Sequence, residues 1–338
     1  MKIAFRADAS VQIGAGHVMR CLTLADALLA AGARTRFLCR KLPGHLGELI
    51  QARGHGLDWL ADSGVDAADS AAALAHEAPW DWLVVDHYDL ASDWETARRG
   101  LARNILAIDD QADRPHDCDL LLDQNLQTEN RYDGLLPSAC RALIGPRYAL
   151  LRPEFQRLRL VAKPDAAGAT DLLICFGGSD PLDLTGLTLD ALDGLGRTGL
   201  RVTAVVGQGY PHRERLRVRC AGRPGTQFHC QADNMAELMA RADLAVGASG
   251  GVTWERACLG LPAVVVSFAE NQRPIARAAE AAGMLVWLGD AAEINAARLG
   301  EAIAALLDAP AQRQAMRRAC LEQVDGAGCG RVMEAMSA

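Results

Sequence analysis

The chain opens with the stretch KIAFRADASVQIGAGHVMR, residues 2–20, and this stretch decides the fold. Residues 3–5 are an apolar run that predicts a buried strand, and the amphipathic residues 17–31 predict a helix. Between them lies a loop of small and polar residues, in which Gly14 and Gly16 would let the backbone approach a ligand closely. A strand, a glycine loop and a helix in this order are typical of a doubly wound α/β domain, whose ligands bind beyond the carboxyl ends of the strands.

His17 is the first candidate for chemistry. It is predicted in the first turn of the helix, where the positive end of the helix dipole disfavours imidazolium and keeps the ring neutral. A neutral imidazole that faces a cleft can act as a general base at physiological pH. The alternative is that His17 only caps the helix or binds an anion. The loop lacks the third glycine of the dinucleotide fingerprint, so NAD is not favoured and we expect no cofactor.

Composition sets the class of protein. A chain of 338 residues is long enough for two domains. A composition with 50% hydrophobic but only 5% aromatic residues is typical of an α/β protein. A formal charge of −7 and the lack of a basic stripe argue against a nucleic-acid partner. Ten scattered cysteines, no signal peptide and no bilayer-length apolar stretch predict a soluble, cytoplasmic protein without stable membrane association. We expect a monomer.

Strand and helix signals alternate along the first half, as expected of parallel βα units. The clearest buried strand, residues 81–86, runs into His87 and Tyr88, which makes both site candidates, although either could simply hydrogen-bond a neighbouring loop. Asp117 and Asp119 have the spacing of a metal motif. Because they precede a strand instead of ending one, we expect turn-capping carboxylates and no metal site. A shift in composition near residue 163 predicts the domain boundary.

Two glycine turns follow strands in the second half, one at residues 177–180 and one at residues 247–253. Each precedes a predicted helix whose free backbone N–H groups could hold an anion, and two such sites suit a pyrophosphate, although a tight turn needs no ligand.

Glu255 could bind both ribose hydroxyls or merely complement its helix dipole. Asn271 could reach the sugar or cap its own helix. The candidate phosphate-binding residues of the two turns are Gly178, Ser179, Ser249, Gly250 and Thr253. From residue 284 onward, the sequence predicts one strand and two helices.

Taken over both halves, the sequence resembles the sugar-nucleotide hydrolases of pseudaminic acid biosynthesis, which act on UDP-2,4-diacetamido-2,4,6-trideoxy-β-L-altropyranose. The matching segments extend from residue 3 to past residue 270. They are Phe5-Arg6-x-Asp8, Gln12-Ile13-Gly14-x-Gly16-His17-x-x-Arg20, Asp86-His87-Tyr88, Asp109-Asp110, Tyr148-Ala149-Leu150-x-Arg152-x-Glu154-Phe155, Gly177-Gly178-Ser179-Asp180 and Asn271-Gln272.

The resemblance implies a glycosyltransferase-B fold, with two Rossmann-like, doubly wound domains and a cleft between them. Residues 1–163 would form the amino-terminal domain that carries the catalytic His17, and residues 164–338 the carboxyl-terminal domain that binds UDP. The resemblance also implies that Arg152 and Glu255 bind substrate and that Tyr88 and Asn271 lie near the sugar. A role in pseudaminic acid biosynthesis and flagellin glycosylation is implied in the same way.

The expected reaction is metal-independent hydrolysis at the anomeric carbon. His17 takes a proton from water as it attacks C1, and UDP leaves from the opposite face, which inverts the anomeric configuration. Helix N-termini that hold the charge of UDP can replace a metal ion. Two alternatives stay open. One is a UDP-sugar-dependent inverting glycosyltransferase, in which an acceptor hydroxyl replaces water, and the other is a non-catalytic UDP-sugar-binding protein.

Overall fold

The computed structural model describes residues 1–61, 66–126, 131–159 and 170–338. They divide into two compact units, and each unit contains one parallel β-sheet, most of whose strands are followed by a helix. The first unit is Met1–Leu151 together with Ala327–Ala338, and the second unit is Arg152–Gly326. The predicted α/β class with two Rossmann-like domains is confirmed. The predicted boundary at residue 163 lies outside the described residues.

The first unit begins with seven strands and four helices. The strands are β1 (Lys2–Ala7), β2 (Arg34–Arg40), β3 (Gly56–Leu60), β4 (Trp80–Asp86), β5 (Ala102–Ile108), β6 (Leu120–Asp123) and β7 (Arg141–Ile144). The helices are α1 (Gly16–Ala30), α2 (Gly47–Ala52), α3 (Asp66–Ala75) and α4 (Ser92–Thr96), with a short 3₁₀ turn at Pro146–Tyr148. The strands pair in the order β3-β2-β1-β4-β5-β6-β7. Phe5 of β1 and Phe37 of β2 are fully buried, with their rings stacked 4.8 Å apart, so the apolar run that opens the chain is part of the core.

The second unit repeats this design with six strands. They are β8 (Asp171–Cys175), β9 (Arg201–Val206), β10 (Thr226–Cys230), β11 (Leu244–Gly247), β12 (Ala263–Ser267) and β13 (Val286–Asp290), paired in the order β10-β9-β8-β11-β12-β13. The helices are α5 (Pro153–Arg159), α6 (Leu184–Gly194), α7 (Arg213–Gly222), α8 (Met235–Arg241), α9 (Gly251–Cys258), α10 (Gln272–Ala281), α11 (Ala296–Leu307) and α12 (Pro310–Gln323), with a 3₁₀ turn at Ala291–Glu293.

A further helix, α13 (Gly328–Ser337), ends the chain and belongs to the first unit. Three α-helices therefore follow β13, in a stretch that is fully described, and the prediction of two helices was wrong. The last helix returns because Val332 is fully buried in the core of the first unit and Trp82 Nε1 donates a hydrogen bond to the carbonyl of Met336 at 3.0 Å. The predicted second domain, residues 164–338, differs from the observed division at this end. Within the described ranges, every helix is too short or too polar to cross a lipid bilayer.

Both sheets reverse their strand order at one position. In the first unit this position lies between β1 and β4, where Ala7 is the register partner of Asp86. In the second unit it lies between β8 and β11. Ligands of doubly wound proteins bind where the order reverses, outside the carboxyl ends of the strands. The sequence loops that follow β1, β8 and β11 carry most of the predicted site residues, so the topology brings these loops to the expected edge of each sheet.

Candidate active site

In the first unit, the side chain of His17 contacts the last residue of β4. His17 is the second residue of α1 and is largely buried, with a side chain that is 10% exposed. Its Nδ1 atom lies 2.6 Å from Oδ1 of Asp86. The contact follows from the topology, because α1 starts beyond β1 and β4 is the neighbouring strand. The ring is thus anchored on one nitrogen by a carboxylate.

The charge state of Asp86 fixes the hydrogen-bonding pattern of this pair. Burial alone would raise the pKa of Asp86, but Arg20 and His17 together hold it well below its usual range. Asp86 is therefore a carboxylate that only accepts, and His17 Nδ1 must carry the proton and donate it. In the neutral ring this leaves Nε2 as the proton acceptor. A histidine oriented in this way by a carboxylate has the arrangement of a general base.

The predicted neighbours of His17 occupy three positions around it. The ring of Tyr88 meets the imidazole edge-on, with 4.7 Å between centroids and an angle of 86° between planes. Gly16 begins α1 and is exposed. Gly14 adopts φ +86°, a conformation that favours glycine, and its N–H donates to the carbonyl of Ser10 at 2.8 Å. The structure brings Tyr88 together with His17, and the two glycines shape the turn that precedes it.

His87, the other candidate after β4, has different partners. Its Nδ1 atom accepts from the backbone N–H of Asp89 at 3.1 Å, and Nε2 lies 3.3 Å from Oδ2 of the buried Asp8. Asp8 in turn pairs with the fully buried Arg6 at 2.7 Å. Burial opposes ionisation of Asp8, but the contacts with His87 and Arg6 lower its pKa well below the usual range. His87 therefore contacts its own loop and the Asp8–Arg6 pair. This agrees with the alternative that His87 only hydrogen-bonds neighbouring loops.

In the second unit, the first glycine turn differs from the prediction. The backbone N–H groups at the start of α6 are not available to an anion, because two aspartates occupy them. Asp180 accepts from Leu184 and Thr185, both at 2.9 Å, and Asp183 accepts from Gly186 at 3.0 Å. The expectation of free donors at this helix start is corrected: these carboxylates satisfy the donors that a phosphate would have used. The predicted residues Gly178, exposed, and Ser179, half-buried, lie in the turn before them.

The second glycine turn leads directly into α9. Gly250 is the N-cap residue, with φ +116° and ψ −155°, a region that only glycine adopts readily. No acidic residue lies in the first turn of α9, all of which is described. The hydroxyls of Ser249 and Thr253 are buried and lie 3.4 Å apart. Arg256 stands behind them and donates from Nη2 to the carbonyl of Ala248 at 2.9 Å.

The charge of Arg256 adds to the anion-binding character of this helix start. Burial lowers its pKa to about 10, so the guanidinium stays charged at neutral pH. A positive helix end with a buried cation behind it favours a bound anion. Of the two glycine turns, the α9 turn is the one whose local charge suits a phosphate.

The structure brings the predicted substrate residues Arg152 and Glu255 together. Arg152 Nη2 lies 3.4 Å from Glu255 Oε1, and Arg152 Nη1 lies 3.2 Å from Glu154. Burial raises the pKa of Glu255 above its usual value, and Arg152 opposes this rise. Asn271 is the exposed N-cap residue of α10, which follows the neighbouring strand β12. Glu255 and Asn271 are thus presented from two adjacent strands of the second sheet.

The aspartates with metal-motif spacing have a different partner. Arg99 Nη2 lies 2.8 Å from Asp117 Oδ1, and Arg99 Nη1 lies 2.6 Å from Asp119 Oδ2. Their carboxylates form an ion cluster with one arginine before β6. Among the described residues, no group of three or more His, Cys, Asp or Glu side chains is arranged to hold a metal ion.

Two residues of the site, Asp86 and Arg20, are not among the predicted site residues, although both lie in segments that match the resemblance. A third residue, Asp180, occupies the helix start that the sequence predicts to bind an anion. Asp86 and Arg20 both carried a signal: Arg20 lies one helical turn after His17, on the same face, and Asp86 ends the strand beside β1. Asp180 was grouped with the glycines as part of an anion cradle, and nothing in its type distinguishes a capping carboxylate from a neighbour of a ligand.

Comparison with known proteins supports the resemblance found in the sequence. Residues 172–327 match the glycosyltransferase family 28 C-terminal domain. The chain is 27% identical over 278 residues to the UDP-2,4-diacetamido-2,4,6-trideoxy-beta-L-altropyranose hydrolase of Campylobacter jejuni, which covers 82% of this chain and 95% of that protein. It is also 34% identical over 148 residues, 43% of each chain, to the spore coat polysaccharide biosynthesis protein SpsG of Bacillus subtilis.

Solved structures with the same fold cover the whole chain. MurG of Acinetobacter baumannii aligns with a TM-score of 0.67 and 14% identity over 100% of this chain and 99% of that one. The UDP-GlcNAc 2-epimerase of Neisseria meningitidis aligns with a TM-score of 0.68 and 11% identity over 100% of both chains. The glycosyltransferase-B fold is confirmed, and at these identities the likeness concerns the fold alone. The predicted resemblance to the hydrolase is confirmed by the match over most of the chain.

Proposed function

We propose that this protein is a metal-independent hydrolase that cleaves the C1–O bond of a UDP-linked 2,4-diacetamido-2,4,6-trideoxy sugar, with inversion, in pseudaminic acid biosynthesis. The observation that carries the proposal is the 2.6 Å contact between His17 Nδ1 and Asp86, which leaves Nε2 as a proton acceptor. The similarity to the Campylobacter jejuni hydrolase supports an enzyme that acts on a nucleotide sugar, and it favours hydrolysis as the reaction.

The proposed role of the first unit is proton transfer. His17 Nε2 accepts a proton from the water whose oxygen attacks C1. The bond between C1 and the β-phosphate oxygen breaks at the same time, and UDP takes the electron pair. The imidazolium that forms keeps its Nδ1–H bond to the Asp86 carboxylate, whose negative charge stabilises it. Attack opposite the leaving group inverts the configuration at C1. Tyr88, edge-on to the imidazole, would restrict the ring and stand near the sugar.

The proposed role of the second unit is to hold UDP. The N-terminus of α9, with Ser249, Gly250 and Thr253, would bind phosphate oxygens through backbone N–H groups and hydroxyls. Glu255 would accept hydrogen bonds from the ribose hydroxyls, and Arg152 keeps its carboxylate ionised and oriented. Stabilised in this way, UDP can leave without a metal ion.

The second candidate is an inverting glycosyltransferase of the same fold. The match to the glycosyltransferase family 28 C-terminal domain favours it. The same base would then take a proton from an acceptor hydroxyl instead of water. A non-catalytic UDP-sugar-binding protein is the third possibility, and it would leave the carboxylate-oriented His17 without a role.

One assay separates the three. The purified protein is incubated with a panel of UDP-sugars in the presence of a chelator and without an acceptor, and UDP and the sugar anomer are followed by NMR. Hydrolysis predicts UDP and free sugar in equal amounts, with the inverted anomer appearing first, from the diacetamido-trideoxy substrate. A transferase predicts turnover only after an acceptor is added. Tight binding without any bond cleavage would reject both enzymatic proposals.

A further inference from the structure

Arg20 is a largely buried cation beside His17, and the proposed reaction assigns it no role. It lies in α1, one turn after His17, and its side chain is 12% exposed. Arg20 Nε donates to Asp86 Oδ2 and Arg20 Nη2 donates to Asp86 Oδ1, each at 2.6 Å. Its Nη1 atom lies 3.3 Å from Oδ2 of Asp110, beyond β5. The guanidinium is therefore held by two carboxylates, and one of them is the partner of the proposed base.

We propose that Arg20 is a positioning residue for His17: it fixes the Asp86 carboxylate in the orientation that accepts the Nδ1 proton, and it neutralises that carboxylate so that the imidazole can alternate between its neutral and charged forms. This inference rests on the proposed function, in which His17 is the base. It goes beyond that function because it assigns the control of the base to a second residue, which acts on His17 through Asp86.

The orientation of Asp86 follows from the two hydrogen bonds that the guanidinium of Arg20 donates to its carboxylate. Two parallel N–H···O bonds hold a carboxylate in one plane, which a single contact does not do. The Oδ1 atom of Asp86 that receives Arg20 Nη2 is the same atom that lies 2.6 Å from His17 Nδ1. Rotation of the carboxylate would break both arginine bonds, so Arg20 fixes the position of the acceptor for the imidazole proton.

The effect on charge follows from the groups around the ring and around Arg20. Asp86 from β4, Arg20 from α1 and Tyr88 beyond β4 face the ring, while Asp110 beyond β5 contacts Arg20, and the thiol of Cys21 lies 3.6 Å from Asp86. Arg20 Nη2 also lies 3.4 Å from His17 Nδ1, where a cation disfavours imidazolium. With Arg20 present, its positive charge balances the Asp86 carboxylate beside the ring. Without Arg20, that carboxylate has no cation to balance it, which favours imidazolium.

The test uses Arg20→Gln and Arg20→Lys in the full-length chain, with two readouts. The first is the pH dependence of kcat/KM for hydrolysis. The second is the ¹⁵N NMR titration of the His17 ring, which also reports which nitrogen carries the proton and needs no activity. In the unsubstituted protein we expect the proton on Nδ1 in the neutral ring. In Arg20→Gln we expect both the acidic limb of the profile and the ring titration to move to higher pH by about one unit or more.

Arg20→Lys keeps the positive charge but cannot form the two parallel hydrogen bonds to Asp86. We expect a ring titration close to that of the unsubstituted protein, together with a lower kcat and a KM that changes little. A matched control is Asp26→Asn, because Asp26 lies 2.8 Å from Nε2 of His55 in a similar pair away from the site. This control should leave the His17 titration and the pH profile unchanged.

The outcomes separate this inference from the proposed function. A folded Arg20→Gln protein whose His17 titration and proton position match the unsubstituted protein overturns the inference, even if His17 proves essential for hydrolysis. If Arg20→Gln does not fold, Arg20→Lys decides: an unchanged kcat overturns the positioning role. A protein that hydrolyses no UDP-sugar, yet shows the shifted titration in Arg20→Gln, retains the control of His17 by Arg20 and rejects the proposed function.

Discussion

The carboxylate of Asp180 accepts a hydrogen bond from the backbone N–H of Thr185 at 2.9 Å, inside the first turn of α6. Because the same carboxylate also accepts from Leu184, the helix start that follows the first glycine turn is already satisfied. The second glycine turn ends at Gly250, and the first turn of α9 contains no acidic residue. The two turns look alike in sequence but differ in the charge they present, and we predict that phosphate binding depends on α9.

Replacement of Asp180 by alanine should reduce stability without weakening UDP binding. The change removes a buried carboxylate that accepts from two backbone N–H groups at the start of α6, and the loss of such a helix-start acceptor costs about 1–2 kcal/mol. Urea unfolding measures the first effect, and calorimetric titration with UDP measures the second. Asn295→Ala, which removes the exposed cap of α11 in the same unit, is the matched control and should lower stability by less. A loss of UDP affinity in Asp180→Ala that equals the loss in an α9 variant would contradict the assignment of the phosphate to α9.

Replacement of Gly250 by alanine should weaken UDP binding. The backbone there has φ +116° and ψ −155°, so an alanine must either adopt a strained conformation, at about 1–3 kcal/mol, or move the start of α9. Calorimetric titration with UDP on the folded variant is the measurement. Gly194→Ala is the control, because a Cβ at this position in α6 meets open space. An affinity for UDP that stays the same in a folded Gly250→Ala protein would remove this turn from the site.

The affinity for UDP should fall as the pH is lowered, and Glu255 should be responsible. Burial raises the pKa of Glu255, so its carboxylate becomes protonated at a higher pH than an ordinary glutamate, whose value is about 4.3. A protonated carboxyl can accept fewer hydrogen bonds from the ribose. Glu255→Gln should bind UDP more weakly at neutral pH and lose this pH dependence. The comparison is made with 2′-deoxy-UDP, for which the variant should lose less. A pH dependence that persists in Glu255→Gln would assign it to another group.

Asp123 should make the protein less stable at neutral pH. Asp123 is buried at the end of β6, and burial raises its pKa to about 6, above the value of about 3.9 in an unfolded chain. The folded state therefore binds the proton more tightly, and stability is lost as the pH rises from about 4 through about 6. Two pKa units correspond to roughly 2–3 kcal/mol.

Asp123→Asn should therefore be more stable than the unsubstituted protein at pH 7 and lose that advantage near pH 4. Urea midpoints measured across this range test it. Asp89→Asn, at an exposed aspartate of the same unit, should show no such trend. A stability difference for Asp123→Asn that does not vary with pH would show that another group dominates.

The sequence predicted the strands and most helices closely because each is bounded by its own signals. The helix predicted over residues 17–31 is α1 (Gly16–Ala30), and the strand predicted over residues 81–86 is β4 (Trp80–Asp86), each within one residue at either end. The return of α13 to the first unit could not be predicted in this way. An apolar helix face does not by itself indicate which sheet it packs against, and the burial of Val332 and the contact with Trp82 appear only in the tertiary structure.

The candidate site was predictable in its residue types but not in its contacts. His17 and Tyr88 were predicted from loops that follow β1 and β4, and they meet because these strands are neighbours. The role of Arg20 depends on a side-chain direction and on a carboxylate 66 residues away along the chain. Such partners follow from tertiary structure, and a pattern in one segment carries no information about them.

The most direct test of the account is the rate of sugar release by His17→Leu at saturating substrate, measured beside its affinity for UDP. Because loss of a general base typically lowers the rate about 10²–10⁴-fold, we expect a loss in this range with an affinity for UDP that is nearly unchanged. A His17→Leu protein that releases free sugar and UDP at the rate of the unsubstituted protein would contradict the assignment of His17 as the base, and with it the proposed mechanism.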